Sequence, residues 1–316
     1  MELFVVALSI AGLTFPIAAI VLIGLGAVRF GYFDAAGAPY LARFFTHVAL
    51  PAALFSVISI QDLSTLLNPG FFRSYGLGTV LAAASVCILM IALGRGVQIA
   101  GISMIGGVVS NCMIVGVPIA IILLDTRAVA ALGMVSFFQD ALLTPVALAI
   151  ADLGRGGNWR KTLFSTIWRN MRTPWVIAIF MGICVAALPF ETPAPVFRIV
   201  EILATSLAGI GLFTIGVLLA NQGAKLPWRT MLPVASTKLL IHPTLVGLSF
   251  WLFPIEDKSM ILGAVLGASM PMVVYYTTFA MRYDHGDEAA ATTLFTTLSS
   301  FITIAMVMAV AMQIWG

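Results

Sequence analysis

Residues Gly96–Leu124 read GVQIAGISMIGGVVSNCMIVGVPIAIILL, 29 positions without an Asp, Glu, Lys or Arg. A helix needs roughly 20 mostly apolar residues to cross the hydrocarbon core of a bilayer, so this run is long enough to span one. Its middle is ill suited to unbroken helix, because Gly106, Gly107, Ser110, Asn111, Gly116 and Pro118 all fall at mid-depth. Glycine is a poor helix former, and proline removes a hydrogen bond and clashes with the carbonyl four residues back. The span is therefore expected to break at its centre. Peptide groups freed by such a break cannot face lipid, so they must be buried in protein or line a wet cavity.

The rest of the chain is of the same kind. Hydrophobic residues make up 61% of the 316 positions and charged residues 9%, against roughly 45–50% and 25% in soluble domains. Runs free of charge, or nearly so, cover Leu3–Val28, Phe44–Gln61, Ser74–Gly94, Gly96–Leu124, Ala128–Ala151, Thr173–Phe190, Ile202–Ala224, Thr230–Ile255, Ser259–Met281 and Ala289–Trp315. They are too long, and too uniformly apolar, for the alternating strands of a membrane barrel. The expectation is an all-α polytopic membrane protein of ten transmembrane helices. Cys87, Cys112 and Cys184 fall inside these runs without metal-ligand spacing, so neither a disulfide framework nor a metal or other cofactor is expected. The first run is too long for a cleaved signal core and reads as a retained helix.

Lys and Arg remain on the cytoplasmic side of a membrane protein. Over alternating loops, Arg29, Arg43, Arg95, Arg155, Arg160, Lys161, Arg169, Arg172, Lys225, Arg229 and Arg282 share one face, whereas Arg73, Arg127, Arg198 and Lys258 share the other. Both termini are thus expected outside the cytoplasm, in the inner or plasma membrane. The charges of the basic stretch at 153–172 read as this topology signal rather than as a nucleic-acid or lipid-specific site. That stretch divides 1–152 from 173–316, with five spans on each side. An odd number per half makes the second half enter from the opposite side, the arithmetic of an inverted repeat. Pro16 and Pro174, Gly24 and Gly182, and Leu54–Phe55 and Leu212–Phe213 share one offset of 158 residues.

The fourth span of the second half is interrupted as well, by Gly263, Gly267, Ser269 and Pro271. Kinks and close packing also employ Gly and Pro in membrane helices, so one broken span alone would decide little. Two, at matching places in the halves, point to crossed and broken fourth and ninth helices. Transporters use such helices to aim the positive ends of half-helix dipoles at anionic groups.

Ser110-Asn111-Cys112-Met113-Ile114-Val115-Gly116-Val117-Pro118 resembles the Ser-Asn-x-x-x-x-Gly-x-Pro crossover of the auxin efflux carrier family, whose bacterial members include malonate-type permeases. Ala49–Phe55, Lys238–Pro243, Ala268–Pro271 and Thr297–Thr303 resemble further segments of that family, so the likeness covers nearly the whole chain. It implies two inverted five-helix repeats arranged as a scaffold and a moving transport domain, a substrate site at the crossing, and a homodimer. The family usually carries Asn shortly after the second crossover proline and in the second span before its proline; here Val274-Tyr275-Tyr276 and His47 stand there. The departure implies a narrower, more aromatic-friendly site.

Ionisable groups at mid-membrane cost roughly 2.5–3.5 kcal/mol on insertion scales and usually face a cavity or a partner. Asp140 lies in the fifth span, Lys238 and His242 share one face of the eighth, and His47 precedes Pro51 by a turn. Lys238 is expected either to offer charge to a substrate or to pair with Asp140. Asp140, His47 or His242 is the candidate for a coupling proton, with structural pairing and packing as the alternatives. Asn111 can donate to and accept from a carboxylate. Ser110, Met113, Gly116, Pro118, Pro271, Tyr275 and Lys238 are the other expected binding residues, with Gln139, Thr277 and Thr278 behind them. The expected activity is secondary transport of a small organic anion such as a mono- or dicarboxylate, with a coupled H+ or Na+ as a further partner. A sodium/proton antiporter or an anion channel is the alternative. An intramembrane enzyme lacks support, because no His-Glu-x-x-His, Gly-x-Ser-x-Gly or carboxylate cluster is present.

Overall fold

The computed structural model describes residues 19–60, 68–188, 193–220, 228–273 and 275–316. The N-terminal part of the first expected span, Pro16, Lys225 and Val274 lie outside them. The described chain is all-helical; its one isolated bridge joins Ser110 and Met272. In order come α1 (Ala19–Arg29), α2 (38–58), α3 (Pro69–Ala92), the halves α4a (Gly96–Val108) and α4b (112–123), and α5 (Thr126–Gly154). They are followed by α6 (Trp159–Met171), α7 (Pro174–Ala186), α8 (Ala194–Leu219), α9 (Trp228–Leu252), the halves α10a (Lys258–Ser269) and α10b (Tyr275–Met281), and α11 (Gly286–Trp315). Five of these, α3, α5, α8, α9 and α11, are long and apolar enough to cross a membrane. Four shorter ones, α1, α4a, α7 and α10a, are apolar too. The basic linker is not irregular: it holds α6, so the ninth expected span is α10.

Helix starts follow from local chemistry. Asn68, Asp125 and Asp257 accept hydrogen bonds from the first free N–H groups of α3, α5 and α10a, an arrangement that typically stabilises a helix by ~1 kcal/mol. Among the described residues, four helices widen into a π-turn, at Phe45–Ala49, Cys112–Gly116, Gln139–Leu143 and Thr237–Ile241. Each π-turn ends two residues before a proline: Pro51, Pro118, Pro145 and Pro243. The cause is steric, since a proline ring collides with the carbonyl four residues back unless the preceding turn is loosened.

Two packed bodies result. In the first, α2 packs on α7 and α8, and α1 lies against α8. Gly24 and Gly216 permit that contact: a Cβ on Gly216 would stand 2.0 Å from the Val21 carbonyl oxygen. The second body takes the sequential triplets α3-α4-α5 and α9-α10-α11. Each is a long helix, a broken helix and a long helix. α3 packs on α4a and α9, α5 on α4a and α10a, and α10a on α11.

Polar contacts fasten the triplets at both ends. On one face, Arg95 donates to Thr230 at 2.7 Å and pairs with Glu288 at 3.0 Å. Gln98 donates to the Tyr283 carbonyl, and the Tyr283 hydroxyl donates to Asp152 at 2.7 Å. Burial, followed by that bond to the Asp152 carboxylate, pushes the Tyr283 phenol up, which keeps it a donor. On the opposite face Ser259 donates to Asp125, Arg127 pairs with Asp257 at 3.3 Å, and Ser74 donates to the Phe253 carbonyl.

The breaks are narrower than the glycines suggest. Gly106, Gly107, Gly263 and Gly267 lie inside α4a and α10a, so they do not interrupt the helices. They thin them for packing instead. A Cβ on Gly263 would meet the Ala128 backbone at 2.6 Å, and one on Gly106 would meet the Tyr276 ring at 2.8 Å.

Candidate functional site

α4a ends at Val108 and α10a at Ser269, and the two extended segments that follow run antiparallel across each other. The Asn111 N–H donates to the Pro271 carbonyl at 2.8 Å, and the Val273 N–H to the Val109 carbonyl at 3.1 Å. The sequence calls for freed peptide groups at these breaks, and much of that demand is met by the partner break rather than by water. This is a two-bond fragment of sheet in the middle of a helical membrane protein.

Two long polar side chains take the groups that remain. Gln139, fully buried on the π-turn of α5, accepts from the Ser110 N–H at 2.8 Å and donates to the Val108 carbonyl at 2.8 Å and the Tyr75 hydroxyl at 2.6 Å. Lys238, fully buried on the π-turn of α9, donates to the Ser110 hydroxyl at 2.7 Å, the Ala268 carbonyl at 3.0 Å and Nδ1 of His242 at 3.1 Å. With Lys238 as donor to Nδ1, the imidazole proton sits on Nε2, 3.1 Å from the Thr79 hydroxyl. The Lys238 amine also lies at the C-terminal end of α10a, where the helix dipole favours positive charge. One chain of contacts thus joins α3, α4, α5, α9 and α10.

The expected site residues divide by place. Ser110, Asn111, Pro271, Lys238 and His242 meet at the crossing. The backbone carbonyl of Asn111 accepts from Val115 and Gly116. Its carboxamide caps no helix and has no hydrogen-bond partner among the described residues, although the residue is only 5% exposed. Met113 is buried beside it, and Gly116 faces Met270, where a Cβ would stand 3.2 Å from that side chain. Pro118 lies in the first turn of the α-helical part of α4b. Lys238 does not meet Asp140 as an ion pair: its three donors go to Ser110, Ala268 and His242, and Asp140 accepts from the Tyr275 hydroxyl. Thr277 lies within hydrogen-bond distance of Thr293. His47 is on an exposed surface, bonded to Thr46 and the Arg43 carbonyl, and is not part of the buried cluster. Tyr75 and Thr79 were not anticipated; only their position on a span adjoining the broken one hints at them. Every intramembrane ionisable candidate except His242 sits in a proline-induced π-turn, and His242 follows one directly.

Apolar helices that carry two crossed breaks, with a buried lysine and an amide unpartnered among the described residues at the crossing, define the class of membrane transporters. The family described as membrane transport protein matches residues 9–309, and the chain belongs to it, the family of the auxin efflux carriers. A protein of Rhizobium meliloti (strain 1021) named "Putative malonate transporter" is 28% identical over 300 residues, 94% of each chain.

Proposed function

We propose that this chain carries a small organic anion of the mono- or dicarboxylate class across the inner membrane by alternating access. In this reading ten membrane-crossing helices form two inverted repeats, 1–152 and 173–316, joined by the cytoplasmic stretch 153–172, with both termini outside. The body of α1, α2, α7 and α8 is the scaffold and dimer-forming part. The six-helix body around the crossing moves against it as a unit. The observation that carries the proposal is the Asn111 carboxamide: an amide at the head of α4b, almost wholly buried and unpartnered among the described residues. Its N–H₂ can bind a carboxylate oxygen while the α4b dipole adds partial positive charge. The relative's name favours a dicarboxylate.

Lys238 bears on coupling. Its amine takes a hydroxyl and a carbonyl oxygen at the crossing, hard ligands of the kind an alkali cation would need. This supports coupling to a proton, or none, over sodium. The test is uptake of labelled malonate, succinate and acetate by proteoliposomes, with a pH step or a sodium gradient. Saturable uptake that responds to the pH step or to neither gradient supports the reading. Sodium-driven uptake would overturn the coupling assignment alone, whereas cation exchange or channel-like conductance without anion uptake would overturn the carrier.

A further inference from the structure

Residues 153–172 contain Arg155, Arg160, Lys161, Arg169 and Arg172 and no acidic residue. Topology alone would be satisfied by scattered charges, but these are ordered by a 13-residue helix, α6. One side of it is committed: Thr166 is buried, Thr162 donates to Asp152, and the helix packs on α5. At 100° per residue, Arg160, Phe164, Trp168 and Lys161 fall within about 100° of one another on the other side, and Arg172 continues that face. Phe164 and Trp168 are 70% and 61% exposed there. The Arg172 guanidinium stacks on the Trp168 ring at 4.2 Å from its centroid.

Exposed aromatic rings flanked by cations match the boundary between headgroups and acyl chains, where such rings sit and cations meet phosphate. The helix cannot leave that boundary. Only Arg172 and Thr173 separate it from the apolar helix α7, a leash of roughly 10 Å at most. We infer that α6 lies on the membrane surface and binds anionic phospholipid headgroups, with Phe164 and Trp168 seated among the upper acyl carbons and Arg160, Lys161 and Arg172 on the phosphates. The cationic face selects this occupant: a zwitterionic surface would satisfy the rings but not the charges. The inference requires only that the protein spans a bilayer, and stands whatever the substrate.

The full-length protein in nanodiscs of phosphatidylcholine, with or without phosphatidylglycerol, provides the test. Hydrogen exchange of the amides of residues 159–172 should slow by about tenfold when phosphatidylglycerol is added, and the effect should fade in high salt. Amides of α3 should be unchanged and serve as the internal reference for folding. The double substitution F164S/W168S, on an exposed face, should keep α3 protected while removing most of the lipid effect. Equal exchange in both lipids would overturn the inference. So would protection that appears in detergent only as protein concentration rises, which would assign the face to a second copy of the chain.

Discussion

Lys238 and Asn111 lie in the same crossing and are expected to fail differently. Replacing Lys238 by Ala leaves the Ala268 carbonyl and His242 without their donor in a fully buried place, and the Ser110 hydroxyl with the Gln139 amide alone as donor. The expected cost is on the order of 3 kcal/mol, seen as a lower melting temperature and less protein at the cell surface, together with lost uptake. Asn111→Ala removes a carboxamide that bonds to no described residue. It should leave the melting temperature almost unchanged while uptake per molecule falls at least about tenfold; normal kinetics would remove Asn111 from the proposed site. Gln139→Leu orphans the Ser110 N–H and leaves the Val108 carbonyl with only the longer bond from the Ser110 hydroxyl, at 3.3 Å, and thermal unfolding should show a loss of about 2 kcal/mol. The sequence made some of this legible. An amide and a lysine deep in apolar runs cost too much to be incidental, and four-residue spacing put His242 beside Lys238. Gln139 was overshadowed by its charged neighbour Asp140. Tyr75 and Thr79 meet partners 64 and 163 residues away, and no local pattern records a contact at that separation.

At the scale of single helices, the prolines explain where the polar groups point. A π-turn holds an extra residue, so it shifts the phase of everything that follows and brings a side chain such as Lys238 off the regular helical face. Pro243→Ala removes the steric reason for the π-turn at Thr237–Ile241. It should let α9 tighten, with little loss or even a gain in thermal stability and with uptake reduced at least about tenfold, since Lys238 would turn away from the crossing. Unchanged uptake would mean that the turn is held by packing rather than by the ring. Composition and run length were enough to find the apolar helices, and the paired breaks were visible as Gly, Ser, Asn and Pro in mid-span. Their true width was not. Glycines that thin a helix for a neighbour and glycines that end one look alike until the neighbour is known, as Gly106 and Gly263 show.

The whole molecule separates into a body whose triplets are fastened to each other at both ends and a second body that packs beside it. If the first moves as a unit, spin labels on Leu81 of α3 and Leu248 of α9, both exposed on that body, should keep their distance when substrate is added. Labels on Leu248 and on Ile202 of α8, also exposed, should shift in distribution. A change in the first pair with none in the second would refute rigid-body transport and favour local gating at the breaks.

The crossing also bears on how the protein is made. Val109 and Asn111 leave the ribosome roughly 160 residues before Val273 and Pro271, the groups that complete their backbone pairing. Until then the first broken helix waits in the bilayer with polar amides uncovered, a state that invites retention by insertion factors or degradation. Residues 1–172 produced alone should therefore be short-lived, and co-production of 173–316 should rescue them, as a pulse-chase of the tagged fragment would reveal.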